Sequence, residues 1–405
     1  MDLSALLGSL PIDDFLGRYW GQRELHGECA SPGQFCDLGQ ALDLETTVWR
    51  ERGAWGDLRL ARAGTSPADC QYLLAPASIE TLAAAMDDGY TIVVNNYQVK
   101  SAVVAQLCRA MEKAFFARCT VNLYFTGPGC KGLDAHYDDT DVFVLQIVGQ
   151  KTWHIREGGR VLPMEGEAYR SPRGDEAVRS TYELKAGDFL YIPRGFIHEA
   201  HTTVLESTHL TISVSTIRWV TLFERVIRML AETDAAFRED IWPPRVNRVR
   251  GTMNDVPQGL ATRMAESLVD GTLIAAAISD LRAECIAGLD RLPKAGRLRA
   301  PEARVISGGS VMRHAHDQLC DLDERSGKLV LRFIGGTMSF DADLTESIRF
   351  VVERDIFRVD DIPGELDLVQ KIGLTRRLVE VGLIDHACDG SAAASSGASD
   401  FSLMG

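Results

Sequence analysis

Between residues 121 and 217 five short segments carry strand signals, and none of the intervals between them carries a helical period. The segments are 121–126, 141–148, 151–156, 189–192 and 209–215. Each alternates apolar with polar side chains or is dense in β-branched residues, the pattern of a strand with a face in a core. Gly127-Pro128-Gly129 turns the chain after the first segment. Gly149-Gln150 reads as a two-residue hairpin turn that returns the chain at Lys151. Successive strands without a crossover helix pair antiparallel, so the stretch is expected to fold as a sandwich or barrel, not as a parallel βαβ sheet.

The rest of the 405-residue chain is read around that core. Pro11-Ile12-Asp13-Asp14-Phe15 starts a helix, and 77–86 and 101–116 have helical spacing, the latter through Val104, Leu107, Cys108 and Met111. Residues 90–94 have the β-branched density of a strand. After Trp219 the period is helical again. Phe223, Val226, Ile227 and Leu230 fit one face, and 258–290 is a second long helical stretch beyond the Pro243-Pro244 break. A Pro/Arg/Ala-rich linker at 293–303 leads to a third region, with a strand at 329–333 and helices at 341–353 and 365–382. Residues 389–405, rich in Gly, Ser and Ala, are expected to be a disordered tail.

Charge and cysteine usage remove several classes of function. With 57 acidic against 43 basic residues the chain carries −14, which argues against a broad electrostatic grip on nucleic acid or anionic lipid. No apolar run approaches the ~20 residues that span a bilayer. The first residues lack a basic stretch, so membrane and export readings drop out. Nine cysteines at irregular spacing, without a C-x-x-C pair, argue against a zinc knuckle or disulfide framework and fit reduced thiols in the cytoplasm.

Two motifs carry chemistry. The first is Leu133-Asp134-Ala135-His136-Tyr137-Asp138, and the second is Gly187-Asp188 followed by Pro193, Gly195 and His198. On a strand, His136 and Asp138 would share a face. Pro193 and Gly195 would shape the turn that brings His198 into the same barrel. Two histidines and a carboxylate on three corners of an octahedron form the facial triad of non-haem Fe(II) oxygenases, which leaves three positions for a bidentate cosubstrate and O₂. Lys151, pointing inward, would pair with the distal carboxylate of a chelated dicarboxylate. On the last strand His209, Thr211, Ser213 and Ser215 share one face by period two, with Ser213 placed to bond the metal-side carboxylate. Asn122 and Tyr124 form a similar pair before the first ligand.

Together these residues resemble the JmjC-type 2-oxoglutarate oxygenases of the cupin superfamily, and within them the ribosomal oxygenases, which include bacterial arginyl and human histidyl hydroxylases. The likeness is dense over 90–217. It runs through Asn122-Leu123-Tyr124, His136-Tyr137-Asp138, Gly149-Gln150-Lys151-Thr152-Trp153, Gly187-Asp188 to His198, and Ser207 to Ser213. The resemblance implies a double-stranded β-helix catalytic domain with N-terminal helices at 1–217, a helical dimerisation region at 218–298 and a winged-helix-like α+β module at 299–388. It implies His136, Asp138 and His198 as Fe(II) ligands, Lys151 as the partner of 2-oxoglutarate with Tyr124, and Ser213 as a further cosubstrate contact. It further implies hydroxylation of an unactivated C–H bond, with succinate and CO₂ as products. The substrate would be a protein or peptide, a basic ribosomal protein with Arg or His as target first among them, and the protein would be a homodimer.

Other readings stay open. The same chemistry could act on a peptide natural product or a tRNA base, although the net charge speaks against RNA. A cupin that has lost catalysis could serve as a scaffold, and a cupin enzyme using another metal without 2-oxoglutarate would have no use for Lys151. The 301–386 region holds 11 basic against 16 acidic residues, which argues against DNA binding there. Asp134, Asp138, Asp139 and Asp141 are read as an acidic entrance that favours a cationic substrate. His154 and His201 are expected to face away from Lys151 and His198, and His209 to line the pocket. His314 and His316 lack the further ligands a second metal would need. The segment 156–183, with Arg160, Arg170, Arg173 and Arg179 among acidic neighbours, is read as a pocket rim.

Overall fold

The computed structural model describes residues 3–28, 58–65, 79–167, 176–240, 258–291, 306–315, 318–325 and 327–387, with Phe35 and Leu38 beside them. Two compact units divide the chain, Met1–Thr216 and Ile217–Gly405.

The first unit is built on strands β1 (Leu25–Gly27), β2 (Leu58–Ala61), β3 (Thr91–Val94), β4 (Arg118–Thr126), β5 (Asp141–Arg156), β6 (Val178–Lys185), β7 (Phe189–Ile192), β8 (His198–His201) and β9 (Ser207–Ser215). The major sheet runs β1-β7-β5-β9-β4-β3-β2, and β6 and β8 flank the far half of β5 as a minor sheet. Every pairing is antiparallel. Alternation decides the two faces of the major sheet. Ile92, Leu123, Phe125, Phe143, Leu145, Leu210 and Ile212 are buried on one side. There they share a core with helices α1 (Leu3–Leu7), α2 (Ile12–Arg18), α3 (Ile79–Asp87) and α4 (Ala102–Phe115). Ser101 caps α4, and its side chain accepts from the Val104 amide. The opposite face turns Asn122, Tyr124, His209, Thr211 and Ser213 into a cavity. A second apolar cluster, Val142, Val144, Trp153, Ile155, Leu184, Leu190 and Ile192, joins the two sheets.

The expected hairpin at Gly149-Gln150 is not there. One strand, β5, runs unbroken for 16 residues from the major into the minor sheet. What the sequence shows as a turn is an irregularity against β9 between Gln146 and Val148. It is followed by Gly149 at φ +70°, where a Cβ would strike the Glu206 carbonyl. The extra residue swaps the facing of all that follows. Val142 and Val144 face inward before it, and Lys151, Trp153 and Ile155 face inward after it.

The second unit holds α5 (Trp219–Thr233), α6 (Gln258–Asp270) and α7 (Thr272–Ala287). The helical stretch expected over 258–290 is therefore two helices, parted at Gly271 with φ +75°. Beyond them lie β10 (Val311–His314), β11 (Cys320–Arg325), β12 (Lys328–Phe333), β13 (Gly336–Asp341), α8 (Thr345–Glu353), β14 (Ile356–Arg358), α9 (Leu368–Glu380) and β15 (Ile384–His386). These strands form two three-stranded sheets, β14-β10-β15 and β11-β12-β13, around a core of their own. Phe223 and Ile227 do not share the packed face of α5. Leu222, Val226 and Leu230 pack with Ala277 and Leu281 of α7, while Trp219, Phe223 and Ile227 are exposed. Among the described residues no helix is long and apolar enough to cross a membrane. The linker at 293–303 and the tail at 389–405 lie outside the described residues.

Candidate functional site

His136 and Asp138 sit on the connection between β4 and β5, an extended segment and not a regular strand. Among the described residues its β contacts are single bridges, Lys131 with His201 and His136 with His198. The His136 and His198 backbones exchange hydrogen bonds of 3.0 and 2.7 Å, and the Gly195 amide donates to the Asp138 carbonyl at 2.9 Å. This places His198, the first residue of β8, against the H-x-D segment. The turn before it depends on Gly195, at φ +83°, whose Cβ would collide with the Arg160 carbonyl.

One ligand atom from each of His136, Asp138 and His198 lies within 4.8 Å of the others. His198 Nε2 is 3.6 Å and His136 Nε2 is 4.0 Å from the Asp138 carboxylate. Both Nδ1 atoms are engaged with backbone carbonyls, His136 with Asp134 at 2.8 Å and His198 with Phe196 at 3.0 Å. Each imidazole thereby aims an Nε2 lone pair at the common centre, an orientation typical of metal-binding histidines. Burial, with His136 adding to it, pulls His198 down to about 4, so it is neutral at physiological pH. Two imidazoles and one carboxylate with an open side fit a divalent transition metal.

The cavity around this centre has a volume of about 540 Å³. Lys151 lies in its wall, 4% exposed, and its Nζ donates to Thr126 Oγ1 at 2.9 Å. The Thr126 hydroxyl is in turn 3.0 Å from that of Thr91. Burial drags the ammonium down to about 7, opposed only in part by the nearby Cys130 thiol, which burial pushes up. His209 is buried and neutral, held well below the ordinary histidine range by burial and then by Lys151. Its ring stacks on Tyr124 at 4.6 Å and meets Trp153 edge-on at 5.6 Å. Burial raises the Tyr124 phenol, whose hydrogen-bond partners are Asn122 and Arg59. Thr211 and Ser213 complete the row from β9.

Every site residue singled out in the sequence thus lines one cavity. Asp141 is the exception to the acidic entrance. It is buried on the helix-covered side and accepts from Tyr191 Oη at 2.6 Å, because it opens β5 and faces the core. Asp134 and Asp139 do line the cavity, and each carboxylate also fastens a loop, through the amides of Gly64 and Gly166 at 2.9 Å each. His154 and His201 stack on each other at 5.3 Å on the outer face. His314 Nε2 bonds the Val351 carbonyl at 2.8 Å, and His316 lies outside the described residues. Of the segment 156–183, residues 168–175 lie outside the described residues. Arg160 pairs with Glu167, and Arg179 with Glu24. Sequence reasoning passed over Arg59, Thr126 and Trp153. The period-two row 122, 124, 126 pointed to Thr126, whereas no sequence signal marked Arg59.

A JmjC domain description matches residues 93–222, the span that supplies most of this site. Over these residues the chain is similar to JmjC domains. Its relatives include "Bifunctional lysine-specific demethylase and histidyl-hydroxylase NO66" of Dictyostelium discoideum, 35% identical over 31% of this chain and 25% of the relative. Ribosomal oxygenase 2 of Bos taurus is 45% identical over 27% of this chain and 24% of the relative. Ribosomal oxygenase 1 of Gallus gallus is 30% identical over 56% and 40%. The matches with these curated relatives thus span between about a quarter and two-fifths of their length. Among solved structures, E. coli YcfD superposes with a TM-score of 0.53 at 15% identity over 94% of this chain and 99% of that one, a likeness of fold. The same protein, described as a ribosomal oxygenase, has also been solved with cobalt and 2-oxoglutarate.

Proposed function

We propose that this protein is an Fe(II)- and 2-oxoglutarate-dependent oxygenase that hydroxylates a side chain of a protein or peptide, with Arg or His of a ribosomal protein as the first candidate. The observation that carries the reading is the convergence of His136, Asp138 and His198 with the buried Lys151 in one cavity. Ferrous iron, bound with 2-oxoglutarate and O₂, supplies the oxidising power for C–H hydroxylation and yields succinate and CO₂. The chain's own work is to bind, orient and exclude water. His136, Asp138 and His198 would hold the metal. Lys151, with the Thr126 hydroxyl beside it, takes the distal carboxylate, and Ser213 and Asn122 stand along the wall where the metal-side carboxylate would lie. Tyr124 and His209 form a stacked wall that fixes the width of the cavity. Asp134, Asp139 and Glu167 on the lining favour a cationic substrate group.

Dimerisation and the winged-helix-like role of the last region belong to the same proposal. The exposed Trp219, Phe223 and Ile227 on α5 support the first. The anaerobic titration of the protein with Fe(II) and 2-oxoglutarate is the direct test, read at the visible charge-transfer band of the chelate. A band that weakens in Lys151→Glu and His198→Ala supports the assignment. A wild type with iron and no band removes it and leaves a shared fold.

A further inference from the structure

Beside Lys151, the cavity lining carries an arginine for which the proposed cosubstrate has no use. Arg59 lies on β2, at the edge of the major sheet, and its side chain lines the same space as the metal centre. The register sets Arg59 beside Val93, Val93 beside Tyr124, and Tyr124 beside His209, so all four stand on the cavity face. The long side chain reaches the Tyr124 phenol, whose ionised form its charge favours. Its Nε, however, is buried and has no hydrogen-bond partner among the described residues. A buried guanidinium N–H without an acceptor is costly, more so than a neutral donor, because a charged group loses its hydration. Among the described residues no carboxylate forms a salt bridge with Arg59 to offset that cost.

Both ends of a dicarboxylate are already answered, one by Lys151 and Thr126, the other by the metal and Ser213. We infer that Arg59 forms a separate acceptor subsite, which takes an amide carbonyl or carboxylate oxygen of the primary substrate beside the reacting carbon. The inference rests on the oxygenase reading of the cavity. Arg59 thereby determines specificity. Its fork offers two parallel N–H groups to one planar acceptor, a match a lysine does not reproduce. A substrate that lacks an acceptor at this distance from its target carbon leaves the buried N–H unpaired and is rejected.

The test uses the full chain, loaded anaerobically with Fe(II) and 2-oxoglutarate, and two small probes. N-acetylglycine offers a carboxylate, and N-acetylglycine N-methylamide offers only carbonyls. Binding is read by calorimetry and by perturbation of the charge-transfer band, in the millimolar range expected for fragments. At least one probe should bind the wild type, and the difference between them tells which acceptor the subsite prefers. Arg59→Gln should weaken that probe about ten- to a hundredfold, the worth of a charge-assisted hydrogen bond, and leave 2-oxoglutarate affinity unchanged within about twofold. Arg59→Lys should recover part of the loss. If neither probe binds, or if Arg59→Gln binds as the wild type does, the subsite does not exist. If Arg59→Gln weakens 2-oxoglutarate itself, the residue is a cosubstrate ligand and the inference falls. A wild type without the band would instead sink the oxygenase reading. The same probes titrated calorimetrically into the metal-free protein would then still decide whether Arg59 holds an acceptor.

Discussion

The side chain most altered by its surroundings is Lys151. An ordinary lysine stays charged up to about pH 10.4, but burial brings this one down to about 7. A group whose charged form the fold disfavours costs stability wherever the unfolded chain is protonated. The cost is absent above about pH 10.5, grows as the pH falls, and is complete below about 7. For a dicarboxylate the sign is the reverse, because the bound state restores the charge. Affinity for 2-oxoglutarate should be flat below about pH 7 and fall about tenfold per unit above it, with uptake of about one proton per ligand at pH 8.5. Calorimetry in buffers of different ionisation enthalpy measures that uptake directly. Lys151→Met should abolish it together with most of the affinity, and equal proton uptake in wild type and variant would remove Lys151 from the cosubstrate site. The metal ligands are simpler. Asp138→Ala leaves two imidazoles without a carboxylate, and divalent-metal affinity should drop by at least about tenfold in a metal-binding titration. Most of these residues were legible in the sequence because period two on β4 and β9 reports facing directly. Arg59 was not, since a lone arginine in a four-residue strand carries no sign of what it reaches across.

At the scale of elements, the misread Gly149-Gln150 is instructive. A glycine between two strand-like runs has the same sequence signature whether the chain reverses or continues through a bulge. Only the partner strand decides, here β9 with its shifted register after Gln146. The bulge is also functional, for it turns Lys151 inward. Gly149→Ala should therefore cost about 1–3 kcal/mol from the positive φ alone, with the collision on the Glu206 carbonyl adding to it. Denaturant unfolding would register the loss, and a variant as stable as the wild type would show that β5 can relax without the glycine. On α5 the sequence announced apolar residues and their helical period, but not that they fall on two sides. Leu222, Val226 and Leu230 are taken by the packing with α7, whereas Trp219 is 74% exposed. Phe223→Glu and Trp219→Glu together should convert a dimer to a monomer in light scattering, leaving 2-oxoglutarate binding in place. A wild type that is monomeric at micromolar concentration would end the dimer proposal.

The molecule as a whole has two units with separate cores, Met1–Thr216 around the strand sandwich and Ile217–Gly405 around its own helices and small sheets. The composition shift after residue 217 marked that division, since strand alternation gives way to helical period where the sandwich ends. All the residues assigned here to metal, cosubstrate and acceptor lie in the first unit. Ligand binding stabilises only what it binds, by about 2.7 kcal/mol at a concentration a hundred times Kd. For a unit of about 200 residues that corresponds to an upward shift of about 5–10 °C. Calorimetric melting should therefore show two transitions, of which a redox-inert divalent metal with 2-oxoglutarate raises one and leaves the other in place. Lys151→Met should melt with the same two transitions and show a much smaller shift. A single transition that moves as a whole would mean that the two cores unfold cooperatively. A shift confined to the transition that belongs to the second unit would place the ligand outside the sandwich and contradict the site.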